Sequence, residues 1–134
     1  MEFRTFEKRD LDSIVRICNA EGWESYYDPE RTFRALDGAG VVTVVAIENQ
    51  EVLGFAQVLT DGAIRAYLAN MAVVPEQRGR GIGRQLIREV FARLDAVYLD
   101  LLSTGDANEF YERFEYRRLP GYRLYPSDPA FVKK

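Results

Sequence analysis

Between Val73 and Arg84 an apolar run stops at Pro75, passes Gly79, Gly81 and Gly83 interleaved with Arg78, Arg80 and Arg84, and enters a helical repeat. Glycine permits positive φ and close approach, so successive backbone N–H groups can converge on one anion. A helix opening at Ile82 would aim its unpaired N–H groups and positive dipole end at the same point. With the arginines beside it, the stretch reads as a pocket for a phosphate or pyrophosphate. The bland alternative is a tight connection and nothing more.

Spacing narrows the choice. A P-loop needs G-x-x-x-x-G-K-[S/T], and neither the lysine nor the hydroxyl is present. A dinucleotide fingerprint needs G-x-G-x-x-G, and here Gly83 comes one residue too soon, with Arg84 in the place of the third glycine. The balance of 18 basic against 21 acidic residues argues against general nucleic-acid binding. A single cysteine excludes an intramolecular disulfide. Met1–Val15 carries charges throughout, with no signal-peptide core, and the longest apolar run, Val41–Ile47, is far short of the ~20 residues a membrane helix needs. These features suit a cytoplasmic enzyme without a membrane partner. At 134 residues one domain is expected, with a core of about 1–126 and a tail at 127–134.

Periodicity supplies the elements. Glu2–Phe6 alternates as a strand, and Leu11, Ile14, Val15 and Cys18 make Asp10–Ala20 an amphipathic helix. Asp28-Pro29 caps a short helix to about Leu36. Val41–Ile47 and Val52–Thr60 are strands joined at Glu48–Glu51, and Ile64–Val74 is the strand that delivers the loop. Ile82, Leu86, Ile87, Val90, Phe91 and Leu94 form the next helical stripe; Ala96–Leu102 suits a buried strand. Asp106 and Glu109 pair as a capping box for a helix over Ala107–Phe114. Tyr116–Arg118 and Tyr122–Tyr125 flank Pro120-Gly121 as a last hairpin. The order predicts an α+β fold: a mixed, mostly antiparallel sheet of about 6–7 strands flanked by about 4 helices.

Arg78-x-x-Gly81-x-Gly83 after a strand ending in Val-x-Pro resembles the acetyl-CoA pyrophosphate loop of the GNAT superfamily of N-acetyltransferases, and the element order is also the GNAT order. Acetyl-CoA would then be the cosubstrate, with no metal. Carried over by position, the Met71 amide would face the thioester carbonyl as a catalytic group. Met71, Ala72 and Val73 would run beside the pantetheine arm. Arg78, Gly79, Arg80, Gly81, Ile82, Gly83 and Arg84 would hold the pyrophosphate. Ala107–Tyr116 resembles the family's second signature, with Asn108 on the cofactor side and Tyr111 as the phenol that protonates the leaving thiolate. A packing role on an amphipathic helix is the alternative reading of Tyr111. Two departures stand out: Thr104 where the family usually has asparagine, and Glu115-Tyr116 where it commonly has Gly-Phe.

A base is harder to find, since the chain has no histidine. Tyr67 stands where some family members carry a base, which leaves a water chain to Glu24, Asp28 or another carboxylate. Cys18, on an apolar stripe, reads as buried filler rather than a nucleophile. Trp23, Glu24, Tyr26 and Tyr27, with Tyr67, are expected to form the acceptor wall, where aromatic faces and carboxylates suit a cationic amine; covering the sheet edge is the alternative. The resemblance implies direct transfer of acetyl to a primary amine of a small molecule. Protein or peptide acceptors, and a non-catalytic acyl-CoA-binding regulatory module, are the rivals. A homodimer through the terminal strands is also in keeping with the family.

Overall fold

The computed structural model describes residues 1–133; Lys134, the end of the expected tail, lies outside them. The chain divides into two compact units, one over Met1–Leu101 and one from Leu102 onward.

The first unit is a five-stranded sheet in sequential order: β1 (Glu2–Thr5), β2 (Val41–Glu48), β3 (Glu51–Thr60), β4 (Arg65–Val73) and β5 (Tyr98–Leu101). All neighbours are antiparallel except β4 and β5, which run parallel. Three helices belong to this unit: α1 (Leu11–Glu21), α2 (Pro29–Leu36) and α3 (Ile82–Ala92). The fold class is the α+β expected, with four helices among the described residues once α4 (Asn108–Tyr111) of the second unit is counted.

The β2–β3 hairpin turns through Asn49 and Gln50, both at positive φ (52° and 66°), the two-residue geometry whose twist matches that of the strands. Alternation then sorts the sheet. Val45, Ile47, Phe55 and Ala72 join Phe6, Ile14, Ile17, Cys18 and Leu36 in a core under α1 and α2. On the opposite face α3 covers β2 and β3 with buried Ile82, Leu86 and Val90. Asp28 caps α2 as expected, its carboxylate accepting from the Arg31 amide at 3.2 Å.

A bulge sets up the site. Gln57 pairs with Asn70 but Val58 pairs with Leu68, so Ala69 is the extra residue of β4. The β4–β5 pairing covers only Arg65–Leu68 against Tyr98–Leu101. Beyond the bulge, Asn70–Val73 has a strand neighbour on the β3 side alone among the described residues.

Some expectations are corrected. The sheet has five strands rather than 6–7, because Tyr116–Arg118 and Tyr122–Tyr125 form no strands. Those segments are three and four residues long, too short to hold as a hairpin without a supporting strand. Gly121 instead brings its backbone against Leu102, whose Cδ2 would meet an added β-carbon. Helix α4 spans Asn108–Tyr111 rather than 107–114, since Arg113 and Phe114 bond to the carbonyls three residues back and tighten the chain into turns. Its N-cap is Ala107, without a side-chain cap. Strand β4 starts at Arg65, because Asp61 Oδ1 draws the amides of Ala63, Ile64 and Arg65 into a turn at 2.8–3.1 Å. Strand β5 is shorter than Ala96–Leu102 and half-exposed, as befits an edge.

Candidate active site

The loop after β4 is built as its sequence demands. Pro75–Gln77 makes one 3-10 turn, and Arg78 is extended. Gly79 and Gly81 sit at φ 82° and 80°, a left-handed conformation that any β-carbon would strain. Gly81 is the N-cap of α3, with no side-chain cap, and the first closing bond is Gln85 N–H to Gly81 O at 3.1 Å. The first-turn amides of Ile82, Gly83 and Arg84 therefore point out of the helix with its positive end behind them. An anion is the partner such an arrangement favours.

The loop arginines have distinct settings. Arg78 bonds Val73 O through Nε at 3.0 Å and the Glu21 carboxylate through Nη2 at 2.7 Å, tying the loop to the end of α1. Arg80 meets Glu48 with two prongs and Gln77 Oε1 at 2.6 Å. The Arg80 hydrogen bond holds the Glu48 carboxyl below the usual carboxylate range. Arg84 is exposed, has no ion-pair partner among the described residues, and its Nη2 lies 3.6 Å from where a Gly81 β-carbon would be. It is the loop cation free to meet a ligand. A depression of about 510 Å³ adjoins the loop, lined by Met1, Phe3, Arg80, Gly81, Ile82, Gln85 and Glu89.

On the sheet face under α1 and α2, the expected acceptor wall divides. Trp23 packs edge-on to Phe55, ring centroids 6.5 Å apart, against the core. The Tyr26 hydroxyl bonds Gln57 Oε1, and Thr32 bonds the Tyr26 carbonyl at 3.0 Å. Glu24 and Tyr27 are exposed. Tyr67 lines an open depression of about 370 Å³ with Gly40, Leu59, Thr60 and Asp100. Asp100, paired in register with Tyr67 across β4 and β5, was not singled out by the sequence reading, nor were Gln57 and Asn70. Gln57 had a signal: it is the one polar residue in the run Val52–Leu59, at a position that alternation turns toward the core.

Cys18 is fully buried, and burial pushes its thiol up to about 12, so it is inert filler as expected. In the second unit, Phe110 stacks edge-on with Tyr111 and Phe114 at 5.0 and 5.3 Å. Burial also pushes the Tyr111 phenol up, so its proton stays on at neutral pH. Asn108 is half-buried at the start of α4.

Residues 39–118 match the family described as "Acetyltransferase (GNAT) domain". The chain belongs to the GNAT acetyltransferase family, whose members are acyl-CoA-dependent N-acetyltransferases. Among solved structures it is similar to a candidate acetyltransferase from Deinococcus radiodurans R1, with 29% identity, a TM-score of 0.74, and 97% of this chain and 91% of that one covered. A ribosomal-protein-alanine N-acetyltransferase from Brucella melitensis biovar Abortus 2308 shares the fold at 14% identity and TM-score 0.74, over 92% of this chain and 97% of that one. An aminoglycoside N-acetyltransferase solved in complex with CoA shares it at 18% and 0.70, over 92% and 99%.

Proposed function

We propose that the protein transfers an acetyl group from acetyl-CoA to a primary amine of a small molecule, by direct attack. The observation that carries this reading is the half-unpaired end of β4 running straight into a glycine turn and an uncapped helix N-terminus. A ligand with a pyrophosphate at one end and an extended amide-bearing arm at the other suits both features. Arg84 and the amides from Gly79 to Arg84 would hold the phosphates, and β4 from Met71 to Val73 would pair with the arm.

In the reaction the amine nitrogen forms a bond to the thioester carbon, and the carbon–sulfur bond then breaks. The amine loses a proton, and the thiolate gains one from Tyr111. The Met71 amide would stabilise the carbonyl oxygen as charge develops on it. The part given to Tyr111 rests on its place in the family's second signature and on a phenol that keeps its proton. No side chain is assigned as base, because the amine can shed its proton through water to a carboxylate. The cytoplasm is the setting we infer from the composition.

Release of free thiol from acetyl-CoA tests the reading, with monoamines, diamines, aminoglycosides, amino acids and N-terminal peptides as acceptors. Turnover with small amines supports it. Turnover with peptides alone moves the acceptor class to protein N-termini or lysines. CoA binding without turnover favours the regulatory module.

A further inference from the structure

The depression beside Tyr67 lies on the sheet face that α1 and α2 cover. Gln57 faces α2, its Nε2 donating to the Ala35 carbonyl at 3.1 Å. Leu59, two residues further along β3, faces the same way by alternation. Leu59, Tyr67 and Asp100 are register partners across β3, β4 and β5, so the three share that face. Leu59 is 42% exposed, so the cover of α2 has ended by this row and the face opens into the depression. Asp100 stands one rung before the β4–β5 pairing ends and β4 goes on alone.

Three charged side chains line the depression: Asp61, Arg65 and Asp100. Asp61 Oδ1 accepts the amides of Ile64, Ala63 and Arg65, which hold its carboxyl below the usual range and keep it charged. Arg65 lies over the Tyr98 ring at 5.4 Å. It meets Asp100 only through Nη1 to Oδ2 at 3.6 Å, an ion pair without a hydrogen bond. Asp100 Oδ1 accepts no hydrogen bond among the described residues. With two carboxylates to one guanidinium, and the half-buried Tyr67 in the same row, the depression favours a cation.

We propose that Asp100 holds a second, non-reacting ammonium group of the acceptor, so that the preferred acceptors are diamines. The proposal rests on the acyl-transfer reading and names the substrate class for it. Met71, whose amide marks the reacting end in that reading, is four residues beyond Tyr67. With the Ala69 bulge between them, that is about 10–13 Å along β4. Extended pentane-1,5-diamine spans roughly 7–8 Å between its nitrogens, and a hydrogen bond to the carboxylate adds about 3 Å. Ethane-1,2-diamine is too short to reach both ends. Because the contact is far from the reacting atoms, it holds substrate and transition state alike and acts on KM rather than kcat.

The test follows thiol release from acetyl-CoA by the full chain with pentane-1,5-diamine, pentylamine, 5-aminopentanoate, ethane-1,2-diamine and ethylamine. Pentane-1,5-diamine is expected to show a KM roughly five- to twentyfold below that of pentylamine at similar kcat, about twofold of it from its two equivalent amines. Ethane-1,2-diamine gains no more than that twofold over ethylamine. Asp100→Asn brings the pentane-1,5-diamine preference down to the same twofold, with CoA affinity unchanged by calorimetry. Arg65→Gln, which takes a competing cation from Asp100, raises the preference about twofold. A preference that survives Asp100→Asn, falls in Arg65→Gln, or is matched by ethane-1,2-diamine over ethylamine overturns the proposal. A lower KM for 5-aminopentanoate than for pentylamine makes Arg65 the anchor and overturns it too. Thiol release without any diamine preference strikes only this proposal, whereas no release with any of these amines strikes the acyl-transfer reading as well.

Discussion

Arg80 holds Glu48 with Nη1 at 3.2 Å and Nη2 at 3.0 Å, so a cation of the phosphate loop is tied to the end of β2 by a carboxylate. The pair is exposed, and what it contributes to stability is small. If the loop holds a polyanion as proposed, the effect on that ligand is larger, because Glu48 both repels phosphate and competes for Arg80. Glu48→Gln is expected to tighten CoA binding about two- to fivefold at low salt, with the gain fading toward 0.5 M salt as screening sets in. Calorimetric titration checks this; weaker binding in the variant means that Glu48 instead aims Arg80 at the ligand.

Gly81 has a φ of 80°, and the proposed function puts it beneath the pyrophosphate. Gly81→Ala is expected to lower stability by about 1–2 kcal/mol from left-handed strain alone, since the nearest atom to its β-carbon, Arg84 Nη2, is at an ordinary contact distance of 3.6 Å. Gly81→Trp should fold and lose CoA binding. Retained affinity in the tryptophan variant contradicts the placement of the pyrophosphate.

Removing the Tyr111 hydroxyl tests the acid. Tyr111→Phe is expected to lower kcat by about 10²-fold with the KM for acetyl-CoA unchanged, the range for one positioned proton donor. Because burial raises this phenol above its ordinary value, no falling limb from Tyr111 is expected below pH 10 in the wild-type rate profile. An unaltered kcat in the phenylalanine variant reduces Tyr111 to a packing role.

Acid stability should report Asp10. Burial works to raise this carboxyl, but the bidentate Arg4 guanidinium at 2.7 and 2.8 Å and the Glu7 amide outweigh it and hold it below the usual carboxylate range. A group depressed in the folded state stabilises fully above its unfolded pKa of about 4, and that contribution is lost as pH falls through the lower folded value. Asp10→Asn is expected to cost about 2 kcal/mol at pH 7 and to flatten the loss of stability below pH 4, in urea melts run across pH. An unchanged acid limb removes Asp10 as its cause.

How much of this was readable in advance differs by element. The glycine loop and α3 were legible because local rules fix them: a proline stop, positive-φ glycines and an uninterrupted apolar stripe. The Asn49–Gln50 turn and the Asp28 cap were legible for the same reason. The bulge at Ala69 was not, because it is a matter of register between Gln57–Val58 and Leu68–Asn70, which no single strand encodes. For that reason the half-unpaired end of β4 at Asn70–Val73 was missed, and Gln57, although it stood out in an apolar run, was not tied to Tyr26 and Ala35. The last hairpin was over-read. Two short segments rich in tyrosine and arginine fit a strand pattern, but with no third strand to support them that pattern goes unused.

Thiol release from acetyl-CoA in the presence of a small-amine panel decides whether the protein transfers acetyl to an amine. Amine-dependent release of one CoA per acetylated amine is expected, abolished in Gly81→Trp and strongly slowed in Tyr111→Phe. Tight CoA binding with no release against any amine or peptide would contradict it.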